Sequence, residues 1–245
     1  MVIAVWGRDG IGKSTFCDAL GQLFSKQGVV AIIDTDLTQP TLPIRLNGFN
    51  LEPNTSLGRA VSGFGAGYAA PFLHQHPKHK GLFCAGLVDG DDYMTYEAGL
   101  DADDNAQDLV TQCGELADKV ILDISSQRTD PFLPGALLRA NKVIVLFTPD
   151  VQGVCWFNSV APLLHNRQTC GHVLPVAAMV DRHHDLSAVG KATRASFAAA
   201  LPFVMEFRQM HDTGTSPLDG TTPSAFRYQR QVRQLFEQLK GGGRA

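Results

Sequence analysis

The run VIAVWGRDGIGKST, residues 2–15, constrains this chain more than any other stretch. Val2-Ile3-Ala4-Val5-Trp6 is apolar and rich in β-branched residues, which predicts a fully buried strand. Gly7-Arg8-Asp9-Gly10-Ile11-Gly12-Lys13-Ser14 follows without a gap and fits G-x-x-x-x-G-K-[ST], the phosphate-binding P-loop. Glycines at these positions let backbone N–H groups turn inward on phosphate oxygens. Lys13 is spaced to reach β- and γ-phosphates, and the Ser14 hydroxyl to bind Mg²⁺. Residues 15–26 predict a helix whose N-terminus aims its partial positive charge at the same phosphates. Strand before and helix after are the context the motif needs, so a nucleotide site is expected here.

The rest of the chain alternates in the same way. Residues 29–33 predict a second buried strand, entered after Gly28 as a helix C-cap and closed by Asp34-Thr35-Asp36. Acids at the carboxyl end of a strand in an open α/β sheet sit where ligands bind. One of the two can serve the Mg²⁺ shell while the other orients an attacking water; a strand-end turn is the plainer alternative. Residues 37–54 carry three prolines and Gly48, which predicts loop with a short helix, and a weakly helical piece follows at 57–61. Gly63-Phe64-Gly65-Ala66-Gly67 breaks the pattern. Residues 81–87 predict a third strand, and 104–116 an amphipathic helix. Lys119-Val120-Ile121-Leu122-Asp123 has the Walker B form, apolar residues closing in a carboxylate that touches Mg²⁺ through water. Ser125-Ser126-Gln127 make a polar turn beside it. Further strands are expected at 142–147, 172–180 and 201–207, with helices at 134–140, from Asp150 to 160, at 186–200 and at 224–240. Buried strands alternating with helices predict an α/β fold, a doubly wound, mostly parallel sheet flanked by helices. One domain is expected over 1–240, with a flexible tail at 241–245.

The chain has 245 residues, enough for one sizeable core, and its net charge of -3 gives no global basic field to attract nucleic acid. Five cysteines without a C-x-x-C pair point to a reducing, cytoplasmic setting and away from a zinc or iron–sulfur site. The first strand runs straight into the P-loop, so it does not read as a signal peptide, and no stretch is long enough to span a bilayer. His74, His76 and His79 have a spacing that can ligate metal, but Lys78 and Lys80 sit among them and no acid or cysteine is near, so a solvated loop is expected. The acids Asp89, Asp91 and Asp92, then Asp101, Asp103 and Asp104, read as solvated loop and a helix start. In the last helix Val232, Leu235, Phe236 and Leu239 share one face. Arg227, Arg230, Arg233 and Lys240 stand mostly opposite, where they could touch anionic lipid or DNA or simply face solvent.

With these motifs in place the chain resembles, nearly end to end, the ParA/MinD family of deviant Walker A ATPases. The resemblance implies ATP/ADP and Mg²⁺ as ligands, held by Asp9, Gly10, Ile11, Gly12, Lys13, Ser14 and Thr15. It implies Asp34 and Asp123 beside Ser14 around the metal, and Asp36, the second acid of the family's D-x-D, positioning the hydrolytic water. Asp181-Arg182 resembles a strand end that is usually Asn-Arg and contacts adenine, and Leu201-Pro202 with Glu206 resembles the family's late I-P-x motif near the base; Asp181 can accept from the adenine amino group but cannot donate. Arg8 stands where the family has a signature lysine that crosses an ATP-bound homodimer to the partner's phosphates. It keeps the charge and adds a planar fork. The resemblance thus implies an ATP-dependent dimerisation switch with a partner protein that stimulates or anchors it, in plasmid or chromosome partition or in positioning a cellular machine. Two alternatives stand beside it. One is a weakly hydrolysing scaffold for pilus or secretion assembly of the CpaE/TadZ type, which the unusual turn after Asp123 suits. The other is a small-molecule ligase resembling dethiobiotin synthetase, with an acceptor pocket built from residues 63–67 and 74–79.

Overall fold

Five stretches of consecutive apolar residues line up as the middle of one eight-stranded sheet, whose strands lie in the order 74–75, 82–85, 30–34, 119–123, 2–7, 142–147, 173–180 and 199–202. The computed structural model describes residues 1–46, 51–63, 68–91, 101–166, 170 and 172–241. Gly48, residues 64–67, Asp92 and residues 242–245, all named above, lie outside them.

In chain order the elements are β1 (Val2–Gly7), α1 (Lys13–Phe24), β2 (Val30–Asp34), α2 (Leu42–Arg45), α3 (Leu57–Val61), β3 (His74–Gln75), β4 (Leu82–Ala85), α4 (Ala102–Leu116) and β5 (Lys119–Asp123). They continue with α5 (Phe132–Arg139), β6 (Lys142–Phe147), α6 (Val151–His165), β7 (Val173–Val180), α7 (Leu186–Thr193), β8 (Ala199–Pro202), α8 (Glu206–Asp212) and α9 (Pro223–Gly241). Every strand pair is parallel except β3–β4. Successive side chains of the central strands point to opposite faces. Ile3, Val5, Ile32, Ile121 and Ile144 pack under α1 and α9, while Ala4, Trp6, Ile33, Leu122 and Val145 pack under α4, α5 and α6. Both faces are covered, which is why these strands read as unbroken apolar runs.

The register positions the chemistry. β1 lies between β5 and β6, with Val5 opposite both Asp123 and Ile144, so the loop leaving β1 emerges beside the ends of both neighbours. On β2 and β5, Asp34 is opposite Asp123. All of these are carboxyl ends of strands, the ligand side of such a sheet.

Four expectations need correction. α1 stops at Phe24 with Ser25 as its cap, so Gly28 is not the helix end. The helix expected over 186–200 ends at Thr193, where Arg194 takes a left-handed φ of 55°. The alanines after it form strand β8, because pairing of Ala199 and Ala200 with β7 outweighs their helical preference. The strand expected over 201–207 ends at Pro202, and Glu206 begins α8. His74 is not in a loop: β3 adds an antiparallel edge, His74 opposite Cys84, and His76 and His79 follow it as half-buried rings 4.7 Å apart. Among the described residues no helix is long and apolar enough to cross a membrane.

Candidate nucleotide site

The loop after β1 is shaped by two glycines in the left-handed region, Gly10 at φ 70° and Gly12 at φ 84°. Gly7 is fixed for another reason: a Cβ there would stand 2.3 Å from the Leu146 carbonyl of β6. α1 then starts at Lys13, which is buried, 8% exposed. Its ammonium donates to the Arg8 carbonyl at 3.0 Å, so the loop curls around its own cation. The Arg8 guanidinium donates to Gln152 of α6 at 3.0 Å. The Asp9 carboxylate is turned back on its own loop, accepting from the Gly10 N–H at 2.9 Å.

The P-loop forms one wall of a cleft of about 570 Å³, within the range of small-molecule sites. It is lined by residues 9–15 and Asp36, by the apolar Met179, Pro202, Phe203 and Phe207, and by Arg208, His211 and Asp212 of α8. The Asp36 carboxylate accepts from the Thr38 N–H at 2.9 Å and its hydroxyl at 2.5 Å, which holds it in the cleft wall. Met179 is a non-glycine residue with φ 57°, beside the register shift between β7 and β8. That conformation costs on the order of 1 kcal/mol and leaves its side chain near Gly12. The cleft thus brings the P-loop and Lys13 together with apolar and aromatic residues and with the charged side chains of α8. The first two match the two-part chemistry of a nucleoside phosphate.

The site residues expected from sequence divide into four groups, one of them Arg8 by itself, which turns to Gln152 and does not line this cleft. Lys13, Ser14, Thr15, Asp9, Gly10, Ile11, Gly12, Asp36 and Pro202 meet at this cleft. Asp181 and Arg182 do not: they line a neighbouring cleft with Arg227 and Arg230, which shares only Pro202 and Phe203 with the first. β7 ends at Val180, and the Asp181 carboxylate is tied to the His183 N–H at 2.8 Å and lies 3.2 Å from the His184 ring. Asp34 and Asp123 also miss the cleft. Both are buried under it and engaged by Arg45 from α2, a residue to which sequence reasoning gave no role. Arg45 pairs with Asp123 through its terminal nitrogen, and its Nε lies 3.7 Å from Asp34 and 3.5 Å from Asp18 of α1. Asp34 also accepts from the Thr41 hydroxyl and from the Asp36 N–H at 3.2 Å. Burial pushes the Asp34 carboxyl up to about 6, with Arg45 opposing the rise. The one legible signal for Arg45 is an arginine between apolar Leu42, Ile44 and Leu46, which can be buried only against acids.

As folded, then, two of the three acids and hydroxyls expected around Mg²⁺ do not fit a metal ion. Ser14 faces the cleft, whereas Asp34 and Asp123 already hold a guanidinium.

A second buried group joins the two strand ends. Thr35 donates its hydroxyl to Asp130 and accepts from the Ser125 N–H at 2.9 Å. Asp130 also accepts from the Ser125 N–H at 3.1 Å and the Phe132 N–H at 2.8 Å. These hydrogen bonds tie the D-x-D loop to the turn after Asp123. Burial pushes the Asp130 carboxyl up to about 6 against these hydrogen bonds. A carboxyl raised in the folded state keeps a proton there that the unfolded chain has released. Its contribution to stability is therefore present at acid pH and lost as pH rises through about 6. Asp130→Asn cannot titrate. Its stability relative to the parent should rise by about 2–3 kcal/mol between about pH 4 and pH 7, read by urea unfolding at each pH. A constant difference would place the carboxylate in its ordinary range.

No family model matches the chain, and no curated protein matches it. Solved structures do. The septum site-determining protein MinD of Pyrococcus horikoshii OT3, complexed with Mg-ADP, superposes with a TM-score of 0.78 at 14% identity, over 100% of this chain and 99% of that one. The cell division ATPase MinD of Pyrococcus furiosus gives 0.77 at 16% identity, over 97% and 98%. A ParA family ATPase from Chlorobium tepidum TLS gives 0.75 at 12%, over 97% and 98%. At such identities the likeness speaks for architecture alone, and it runs from end to end: this chain has the fold of the MinD and ParA P-loop ATPases.

Proposed function

We propose that this chain is a ParA/MinD-type ATPase, a switch that binds ATP in the P-loop cleft, pairs with a second copy, and presents the paired surface to a partner. The observation that carries the reading is the cleft itself, with Lys13 and the loop N–H groups on one wall and Asp36 held at its edge. In this reading Lys13 and the α1 N-terminus bind the β- and γ-phosphates. Asp36 orients the water that attacks the γ-phosphate. Arg8 leaves Gln152 and reaches the phosphates of the partner subunit, where a planar fork suits an anion. Loss of the γ-phosphate removes what holds the Asp36 loop, and the pair separates. Exposed Arg227, Arg230 and Arg233 on α9 offer a surface to an anionic partner such as DNA. Partition and positioning of a cellular machine are the roles such a switch serves.

A second reading, a scaffold that binds ATP and turns it over slowly, is favoured by the engagement of Asp123 with Arg45. Calorimetry with ADP and phosphate release from ATP test the two together. Saturable binding of one ADP per chain with measurable release supports the switch. Binding with negligible release supports the scaffold, and absence of binding rejects both.

A further inference from the structure

We propose that Arg45 is a resident cation that holds the Asp34–Asp123 carboxylate pair in place of a divalent metal, so that nucleotide binding in the P-loop cleft draws little on Mg²⁺. The metal-dependence half of this inference rests on the nucleotide-binding reading; the half that concerns the acids does not.

The geometry carries it. Register puts Asp34 and Asp123 side by side at the ends of β2 and β5. Two carboxylates so placed beneath a phosphate site are where a hydrated Mg²⁺ would ordinarily be anchored. Here the space between them is filled from the side by Arg45, whose side chain is 4% exposed against 5% for Asp34 and 2% for Asp123. The guanidinium touches acids from three elements, Asp18 on α1, Asp34 on β2 and Asp123 on β5. Asp34 is further occupied by the Thr41 hydroxyl and the Asp36 N–H. A divalent cation entering here would meet a fixed positive charge and, on Asp34, acceptors already in use.

Nor is this cation easily removed. An arginine stays protonated at any working pH. Pulling it to the surface would leave three carboxylates close together with no counter-charge, and breaking such a buried pair is strongly unfavourable. Ser14 and Asp36 still face the cleft. A metal carried in by the nucleotide can meet those two, but not the buried acids below them. Arg45 would thus keep the acids at the two strand ends in one arrangement with or without metal.

The test has two arms. In the first, ADP affinity is measured by calorimetry in Mg²⁺ and in EDTA. For the parent chain the two dissociation constants should differ by less than about threefold. A strengthening of more than about tenfold by Mg²⁺ overturns the proposal, since Arg45 must then give way to the metal. If no ADP binds in either buffer, the nucleotide reading fails, and the second arm still decides the role of Arg45. That arm uses Mn²⁺ alone, followed by electron paramagnetic resonance, with thermal melting in Mg²⁺ alongside. Arg45→Met removes the cation and leaves the acids, so it should gain one saturable Mn²⁺ site and melt higher in Mg²⁺. The parent and Arg45→Lys should do neither. Mn²⁺ binding by the parent at these acids, or none by a folded Arg45→Met, overturns the proposal. If Arg45→Met does not fold without metal, refolding on addition of Mg²⁺ supports it, and failure to refold while Arg45→Lys folds overturns it.

Discussion

Lys13→Ala is expected to weaken ADP and ATP binding by about a hundredfold or more without unfolding the chain. The ammonium is nearly buried and already held toward the loop by the Arg8 carbonyl at 3.0 Å, so little ordering is left for the ligand to impose. A charged hydrogen bond to phosphate in a partly enclosed cleft is worth about 1.5–3 kcal/mol, and the alanine forfeits it together with the longer-range attraction. About 2.7 kcal/mol is a hundredfold in affinity. The substitution is mild for the fold, because alanine suits the first turn of α1 and the lost partner is a single carbonyl. Calorimetry of ADP against parent and variant checks it. Affinities within about threefold of each other would mean that the phosphates do not lie on this loop.

Asp36→Ala should separate binding from turnover. Its carboxylate lines the cleft with the P-loop residues and is held by the Thr38 N–H and hydroxyl. A group that orients or deprotonates the attacking water contributes about 10²–10⁴ to the rate and little to ground-state binding. The variant should therefore bind ATP within about threefold of the parent and hydrolyse it at least about a hundred times more slowly. Single-turnover phosphate release reads the second quantity. Normal turnover in Asp36→Ala would transfer the water-positioning role to another residue, with the Ser125–Gln127 turn the next place to look.

The parts of this structure that were legible in the sequence are those settled locally. β1, β5 and β6 are continuous apolar runs that end at a glycine, an acid and a threonine, and the P-loop is contiguous with the first of them. The apolar face of α9 was legible for the same reason: Val232, Leu235, Phe236 and Leu239 recur at helical spacing and are all buried. What was hidden depends on distant partners. Alanines 199 and 200 have helical preference and become a strand only because β7 lies beside them. β3 is two residues long, too short for any periodicity to show. At the site, Arg45 and Asp123 are far apart in the chain and meet only because α2 folds back onto the ends of β2 and β5. Asp130 came out of a stretch without a motif, and it joins the two loops that carry the acids. Asp181 could be matched to a family position but not located, since the left-handed Met179 just before it redirects the strand end.

Nucleotide-controlled pairing of two copies is read from the solution mass. Light scattering would be recorded for Asp36→Ala, in which ATP persists, with no nucleotide, with ADP, and with ATP and Mg²⁺. Such pairing should give a monomer in the first two and a dimer only in the third, and adding Arg8→Ala should return the ATP sample to a monomer. A mass that ignores the nucleotide, or a dimer untouched by Arg8→Ala, would contradict it.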